Sequence, residues 1–278
     1  MQIYLSHNRS ILQQYRKMFS YYLEVMVGTL AGLMMGAATI AVETSVYQGV
    51  LSDLFVFISP APNEVLLPQL GLLISMAIGV AGSPAGVLTF GEEKVVYWRE
   101  AACGHGKLAY YIGKTLSTIF RFTMSSFHFA AAFYLLCRPL TPFGDFYVFV
   151  FLTFCCVYGL SALVSMIVPR ENAPLLAVIS SLIFSTLCGY GPTLTLAEQF
   201  KVKWLFALSF NRWGVEGFYD SETRYFRDLM RVEEVSAPFF GYTLNRFGFD
   251  MGMMVVFAVA LRIVAFFLLI LIQRRKQE

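Results

Sequence analysis

Six stretches of this chain run free of charge, or nearly so, for the length a helix needs to cross a bilayer, and that limits the fold more than any other feature. The hydrocarbon core takes about 20 predominantly apolar residues in helical form. The stretches are residues 25–42, 65–91, 115–137 (with Arg121 and His128 inside), 146–169, 172–197 and 248–273 (with Asp250 and Arg262). Open strands would leave unpaired backbone groups in lipid, and barrel strands would be shorter and alternating. Composition agrees: 57% of residues are hydrophobic, 14% are charged and mean hydropathy is +0.62. Soluble domains carry about 25% charge, so lipid is the expected solvent. The fold class expected is an all-α membrane domain with six transmembrane helices.

The short loops set an orientation. One side carries Arg9, Arg16 and Lys17, then Lys94, Arg99 and Lys107, then Arg170, and finally Arg274, Arg275 and Lys276. The two shorter loops on the other side hold only Arg138 as a base. The positive-inside rule places both termini in the cytoplasm. Residues 198–247 form a long external loop whose bases are offset by its own acids. A net charge of +3 is weak and implies no nucleic-acid partner, and its scatter among apolar spans argues against a phosphate-binding face.

Residues 1–22 are expected to form an amphipathic helix, lying in the cytoplasmic interface, packed on a domain outside this sequence, or both. Ile11, Leu12, Tyr15, Met18, Phe19 and Tyr22 recur at helical spacing, and Asn8, Arg9, Gln13, Gln14, Arg16 and Lys17 fill the other face. The remainder, residues 23–278, reads as one membrane domain. Gly28, Gly32 and Gly36 make a GxxxGxxxG stripe on the first span, and Gly71, Ser75, Gly79 and Ser83 a similar stripe on the second. Small residues let backbones approach where lipid removes the hydrophobic drive. The stripes predict close packing, within the chain or against a second one.

No reaction centre is visible. Gly113-Lys114-Thr115 lacks the earlier glycine and the preceding strand of a phosphate loop, and Lys114 reads as an interfacial lysine snorkelling to water. His7, His105 and His128 are far apart, and Cys103, Cys137, Cys155, Cys156 and Cys188 have no metal-ligand spacing, so no metal site is expected. Arg121, His128 and Arg262 lie at membrane depth, where charge is costly. Two roles are open to each: contact with a substrate, or structural pairing with helix carbonyls or an acid such as Glu24.

The most distinctive segment is the loop 91–107. Glu93-Lys94, Tyr97-Trp98-Arg99-Glu100 and Ala109-Tyr110-Tyr111-Ile112-Gly113-Lys114 resemble the first cytoplasmic loop and third-span start of the ABCG (White/BCRP) half-transporters. Arg212, Trp213 and Glu216 resemble the motif of that family's large external loop. The Tyr-Trp-Arg-Glu variant is most similar to plant and fungal members. The resemblance implies a dimeric ABC exporter of lipophilic cargo, with ATP and Mg bound by an ATPase domain that is not in this sequence. It implies that Glu92, Glu93, Lys94, Tyr97, Trp98, Arg99 and Glu100 form a coupling helix facing that nucleotide-binding domain, and that re-entrant helices lie in residues 205–219. A substrate cavity between second and fifth spans would involve Met76, Gly79, Phe184 and Leu187, with Arg121 and His128 as further candidates. The chain itself would be no enzyme and would hold no cofactor. Membrane lipids and a second half-transporter, identical or not, are the implied partners. The alternative is a scaffold or regulatory relative that docks a partner through the same loop and moves nothing.

The orientation has a direct check. Asn8-Arg9-Ser10 is the one N-glycosylation sequon. With a cytoplasmic N-terminus, expression in glycosylating cells leaves Asn8 unmodified, and a glycosidase-sensitive mass shift at that site would invert the map.

Overall fold

The computed structural model describes residues 2–40, 66–91, 94–227 and 232–272, and no strand occurs among them. Twelve α-helices follow one another: α1 (Gln2–Arg16), α2 (Met18–Ile40), α3 (Leu66–Gly91), α4 (Lys94–Ala102), α5 (Lys107–Cys137), α6 (Phe143–Ile167), α7 (Ala173–Thr186), α8 (Leu194–Gln199), α9 (Lys203–Ala207), α10 (Phe210–Thr223), α11 (Ala237–Phe240) and α12 (Phe247–Leu271). Among the described residues α2, α3, α5, α6 and α12 are long and apolar enough to cross a membrane.

The fifth span differs from its expected extent. Residues 172–197 read as one apolar run, but α7 stops at Thr186 after 14 residues. That is about 21 Å of helix, short of a hydrocarbon core of about 30 Å. The stop has a local cause. Gly189 takes φ +92°, with the Leu194 side chain and the Tyr242 ring packed where a Cβ would project. α7 is capped by Leu187 (φ −84°, ψ 24°), and two residues on, this left-handed turn, which glycine accepts without penalty, leads the chain away from the helix. α5 departs the other way, beginning at Lys107 instead of residue 115. Its 31 residues span about 46 Å, about 16 Å or three turns more than the hydrocarbon core takes.

α6 is the central helix, touching α3, α5, α7, α10 and α12. Its rings build the middle of the core: Phe146 stacks on Phe133 at 4.9 Å, Phe149 on Phe218 at 5.4 Å, and Phe154 meets Phe129 edge-on at 6.1 Å. Aromatic pairs at these separations add about 0.5–1.5 kcal/mol beyond their buried area. The apolar side chains of α12, among them Val256, Val259, Ile263 and Phe267, stay exposed on its outer side, as lipid contact requires.

α2 and α5 lie side by side in parallel, in a constant register. Gly28 faces Ser125, Gly32 faces Phe129 and Gly36 faces Phe133. The first glycine stripe therefore packs within the chain. The second stripe divides its partners: Gly71 meets Val215 of α10 and Gly79 meets Ser181 of α7.

α1 breaks from α2 at Lys17, earlier than the boundary at residue 22 expected from the sequence. Its polar face is the one that packs. The Ser10 hydroxyl lies 2.6 Å from that of Ser117, and Gln14 Nε2 donates to the Ser117 carbonyl at 3.1 Å. Gly113 of α5 makes this possible, since a Cβ there would sit 2.8 Å from the His7 amide nitrogen. The apolar face, with Ile11, Leu12 and Tyr15, remains exposed, as do Phe19 and Tyr22 in the first turns of α2. A helix that gives its polar side to protein and its apolar side outward suits a bilayer interface.

The α2–α5 register generates a graded prediction. A Cβ on Gly32 would lie 2.5 Å from the Phe129 carbonyl oxygen, which is backbone and cannot swing away, whereas one on Gly28 meets ordinary contacts at 3.5 Å. Gly32→Ala should cost about 1–3 kcal/mol through overpacking, and Gly28→Ala should be tolerated. Thermal melting in detergent separates them; equal melting temperatures would rule out the register.

Candidate functional site

Two polar assemblies stand at opposite ends of the bundle. At the α4 end, Tyr97 is 2% exposed and packs its ring against Tyr110 at 4.8 Å. The same cluster holds Phe90 of α3, Tyr111 of α5, Met166 of α6, and Ala265 and Leu269 of α12. Tyr111 stacks on Phe90 at 5.2 Å and donates its hydroxyl to the Arg262 carbonyl at 2.7 Å. Tyr97 thus joins α4 to a cluster built by the ends of four helices, against which Trp98 and Ala101 also pack. Glu100 pairs with Arg9 of α1, Trp98 is half-buried and Arg99 is exposed. Gly104, at φ +86°, ends the segment. Glu92, Glu93 and the side chain of Lys94 lie outside the described residues.

Lys114 is 6% exposed, so it does not snorkel as expected; it lies 5.7 Å from the centre of the Tyr110 ring. Gly113 to Thr115 sit within α5, where helical backbone amides are engaged and form no phosphate cradle.

Deeper in the bundle, Glu24 of α2 is a junction. Arg121 Nε donates to its Oε2 at 3.0 Å and Nη2 at 2.5 Å, Ser125 donates to Oε1 at 3.2 Å, and the Tyr158 hydroxyl of α6 also donates to Oε1. Arg121 is therefore held in an ion pair. Arg262 donates to the Ala258 carbonyl of its own helix at 2.8 Å. His128 is exposed on the outer side of α5 and turns back to the Met124 carbonyl at 2.8 Å. Arg121 and His128 consequently share no cavity. Of the other candidates, Gly79 is closed off by Ser181, Phe184 stacks on Phe210 of α10 at 5.5 Å, and Met76 on α3 and Leu187, the residue after α7, are half-buried.

At the other end α10 is inserted among α3, α6 and α12. Its acids are 1% exposed, and their charge is met chiefly by backbone N–H groups of neighbouring segments. Glu216 Oε1 accepts from the Thr243 amide and hydroxyl, both at 2.7 Å, while Oε2 lies 3.3 Å from Arg212. Asp220 accepts from the amides of Asn245 at 2.7 Å, Arg246 at 3.2 Å and Phe247 at 3.1 Å, so one segment caps the N-terminus of another, α12. Glu222 does the same for the α5–α6 turn, accepting from the amides of Leu140 at 3.0 Å and Thr141 at 2.8 Å. The Arg212 guanidinium covers the Trp213 ring at 4.0 Å, and Trp213 Nε1 donates to the Ala207 carbonyl at 3.2 Å. Tyr242 donates to the Cys188 carbonyl at 3.1 Å, and burial pushes its hydroxyl well above the usual range, keeping it a donor. The motif residues Arg212, Trp213 and Glu216 are brought together. Asp220, Glu222, Tyr158 and Ser125 were not singled out by sequence; acids spaced four and two apart in a run rich in Phe, Tyr and Gly are the signal that could have marked the first two.

The family model described as ABC-2 type transporter matches residues 71–275, from α3 through α12. The chain belongs to this ABC-2 transporter family. Relatives place it in the ABCG-type, plant and fungal branch. It is 32% identical over 222 residues to the ABC-type transporter claG of Penicillium crustosum, covering 80% of this chain and 30% of that one. It is 21% identical over 201 residues to ABC transporter G family member 28 of Arabidopsis thaliana, covering 72% and 18%. A second Arabidopsis protein, named as a white-brown complex homolog, is 21% identical over 215 residues, covering 77% and 19%. The chain spans a third or less of the length of each of these relatives. Within this ABC-2 domain, α4 and α10 are the two segments where polar chemistry is concentrated.

Asp250 separates two kinds of buried acid. It is fully buried on α12 beside Gly217, and neither oxygen has a hydrogen-bond partner among the described residues. Removing one partner of a satisfied buried pair costs about 3–5 kcal/mol, whereas neutralising an unpartnered carboxylate loses no bond. Glu216→Leu should lower the melting temperature by several degrees and Asp250→Asn should hold or raise it, as read by thermal unfolding in detergent.

Proposed function

We propose that the chain forms the translocation pathway of an ABCG-type exporter of lipophilic cargo. An ATPase domain outside this sequence, binding ATP and Mg, drives it, and two half-transporter membrane domains work as a dimer. In this reading both termini are cytoplasmic, residues 1–22 connect to the ATPase, residues 91–107 receive its motion and residues 198–247 cap the external side. The supporting observation is the seating of α4: Tyr97, with Trp98 and Ala101 beside it, sets a nine-residue helix against a cluster built by the ends of α3, α5, α6 and α12. A push on such a helix reaches several spans at once, because packed interfaces shift as units. Arg99 faces outward from it, available to a partner. An apolar pathway suits cargo such as sterols or acyl lipids, and among the described residues no group of three or more His, Cys, Asp or Glu side chains could hold a metal ion.

Glu100 provides the test, because its pair with Arg9 is solvent-accessible and such pairs contribute about 0–1 kcal/mol to stability. In the full-length protein reconstituted in vesicles, Glu100→Gln should leave the melting temperature unchanged and lower ATP-driven transport of a lipophilic fluorophore about fivefold or more. Unchanged transport would remove α4 from the coupling path. A wild-type protein that binds its ATPase partner yet moves nothing would favour the scaffold reading.

A further inference from the structure

A cavity of about 10 Å³ lies where α3, α5, α6 and α12 meet, between the aromatic cluster that seats α4 and the Glu24 junction. Thr115, Tyr158 and Arg262 line it, and so do Gly86 of α3 and Gly159 of α6. Gly159 leaves the Arg262 guanidinium uncovered, since a Cβ there would lie 3.5 Å from Nη1. The volume is about that of a single water.

Three lining groups have hydrogen-bonding capacity left over. The Thr115 hydroxyl is buried and has no partner among the described residues. The Arg262 guanidinium has five N–H donors, and among the described residues its side chain bonds only to the Ala258 carbonyl. The Tyr158 hydroxyl gives its proton to Glu24 and keeps its lone pairs. A hydroxyl or a cation buried without partners is costly, and native interiors satisfy such groups with protein atoms or ordered water. A water has the complementary set, two donors and two acceptor sites. We infer that one ordered water occupies this cavity, accepting from Arg262 and donating to the Thr115 and Tyr158 hydroxyls. Arg262 is then joined through the water and Tyr158 to Glu24, which already pairs with Arg121. One carboxylate thus answers two arginines at membrane depth, the first by contact and the second through water, and α12 is tied to the junction of α2, α5 and α6. The site is independent of the transport reading.

The test joins electron cryomicroscopy of the full-length protein, at a resolution that shows ordered water, to thermal melting in detergent. The map should hold one peak in the cavity, within about 3.2 Å of Thr115 Oγ1, the Arg262 guanidinium and the Tyr158 hydroxyl. The sign of one substitution is equally decisive. With the water in place, Thr115→Val removes a bonded hydroxyl and should lower the melting temperature by about 2–4 °C. In a dry cavity the same change would replace an unpaired hydroxyl by a methyl group and raise it. Thr115→Ser, which keeps the hydroxyl, should keep the peak. An empty cavity in the map, a higher melting temperature for Thr115→Val, or a peak that disappears in chloride-free buffer and so belongs to an anion would each overturn the site.

Discussion

The carboxylate of Glu24 organises the interior. It accepts from Arg121 and Ser125 on α5 and from Tyr158 on α6, so one acid joins three helices. In lipid the tails are as apolar as leucine, and helices gain little by hiding apolar surface from them. Association then depends on close backbone approach and on polar groups that find each other. The α2–α5 pair uses both along a single line: the ion pair at one level, then the three glycines against successive turns of α5. The register that satisfies Glu24 is the one that seats the glycines, so each reinforces the other.

The same economy of polar groups governs the other end, with a different solution. α10 carries more charge than a buried helix of its length should, yet its acids are consumed as helix and turn caps. Asp220 closes the start of α12 and Glu222 closes the turn between α5 and α6. These backbone amides would otherwise be orphaned in a dry setting, which is expensive. The inserted helix therefore serves as a shared terminus for its neighbours. Only Asp250, without a hydrogen-bond partner among the described residues, stands apart from this scheme.

Much of this was legible in the sequence, for physical reasons that also explain what was not. Charge-free length marks a span, so α2, α3, α6 and α12 lie where hydropathy puts them. The glycine stripes read as contact faces because spacing survives folding, but spacing does not name a partner, and the two stripes chose differently. α7 was overestimated because Gly189 and the residues up to Ala197 are apolar enough to pass as helix, while the stop is a backbone conformation that composition does not reveal. The structural pairing open to Arg121 was readable as one of two roles. Deciding it requires knowing that α2 and α5 run together, which is a tertiary fact. The loop 91–107 and the motif Arg212, Trp213 and Glu216 pointed to the family, but the acids that fasten α10 look in sequence like ordinary loop charge.

The Glu24 junction also has a meaning in time. Its α5 partner Arg121 is 97 residues further along the chain. At about 5–20 residues per second of synthesis, roughly 5–20 s pass between the two. During that interval the first span is complete and carries, at the edge of its apolar run 25–42, an acid with no arginine to meet it. At the end of the span and not at its centre, the carboxylate can stay hydrated in the interface until the third span arrives. A buried ion pair in the finished bundle is, for the ribosome-bound chain, a contact that can form only once the third span has been made.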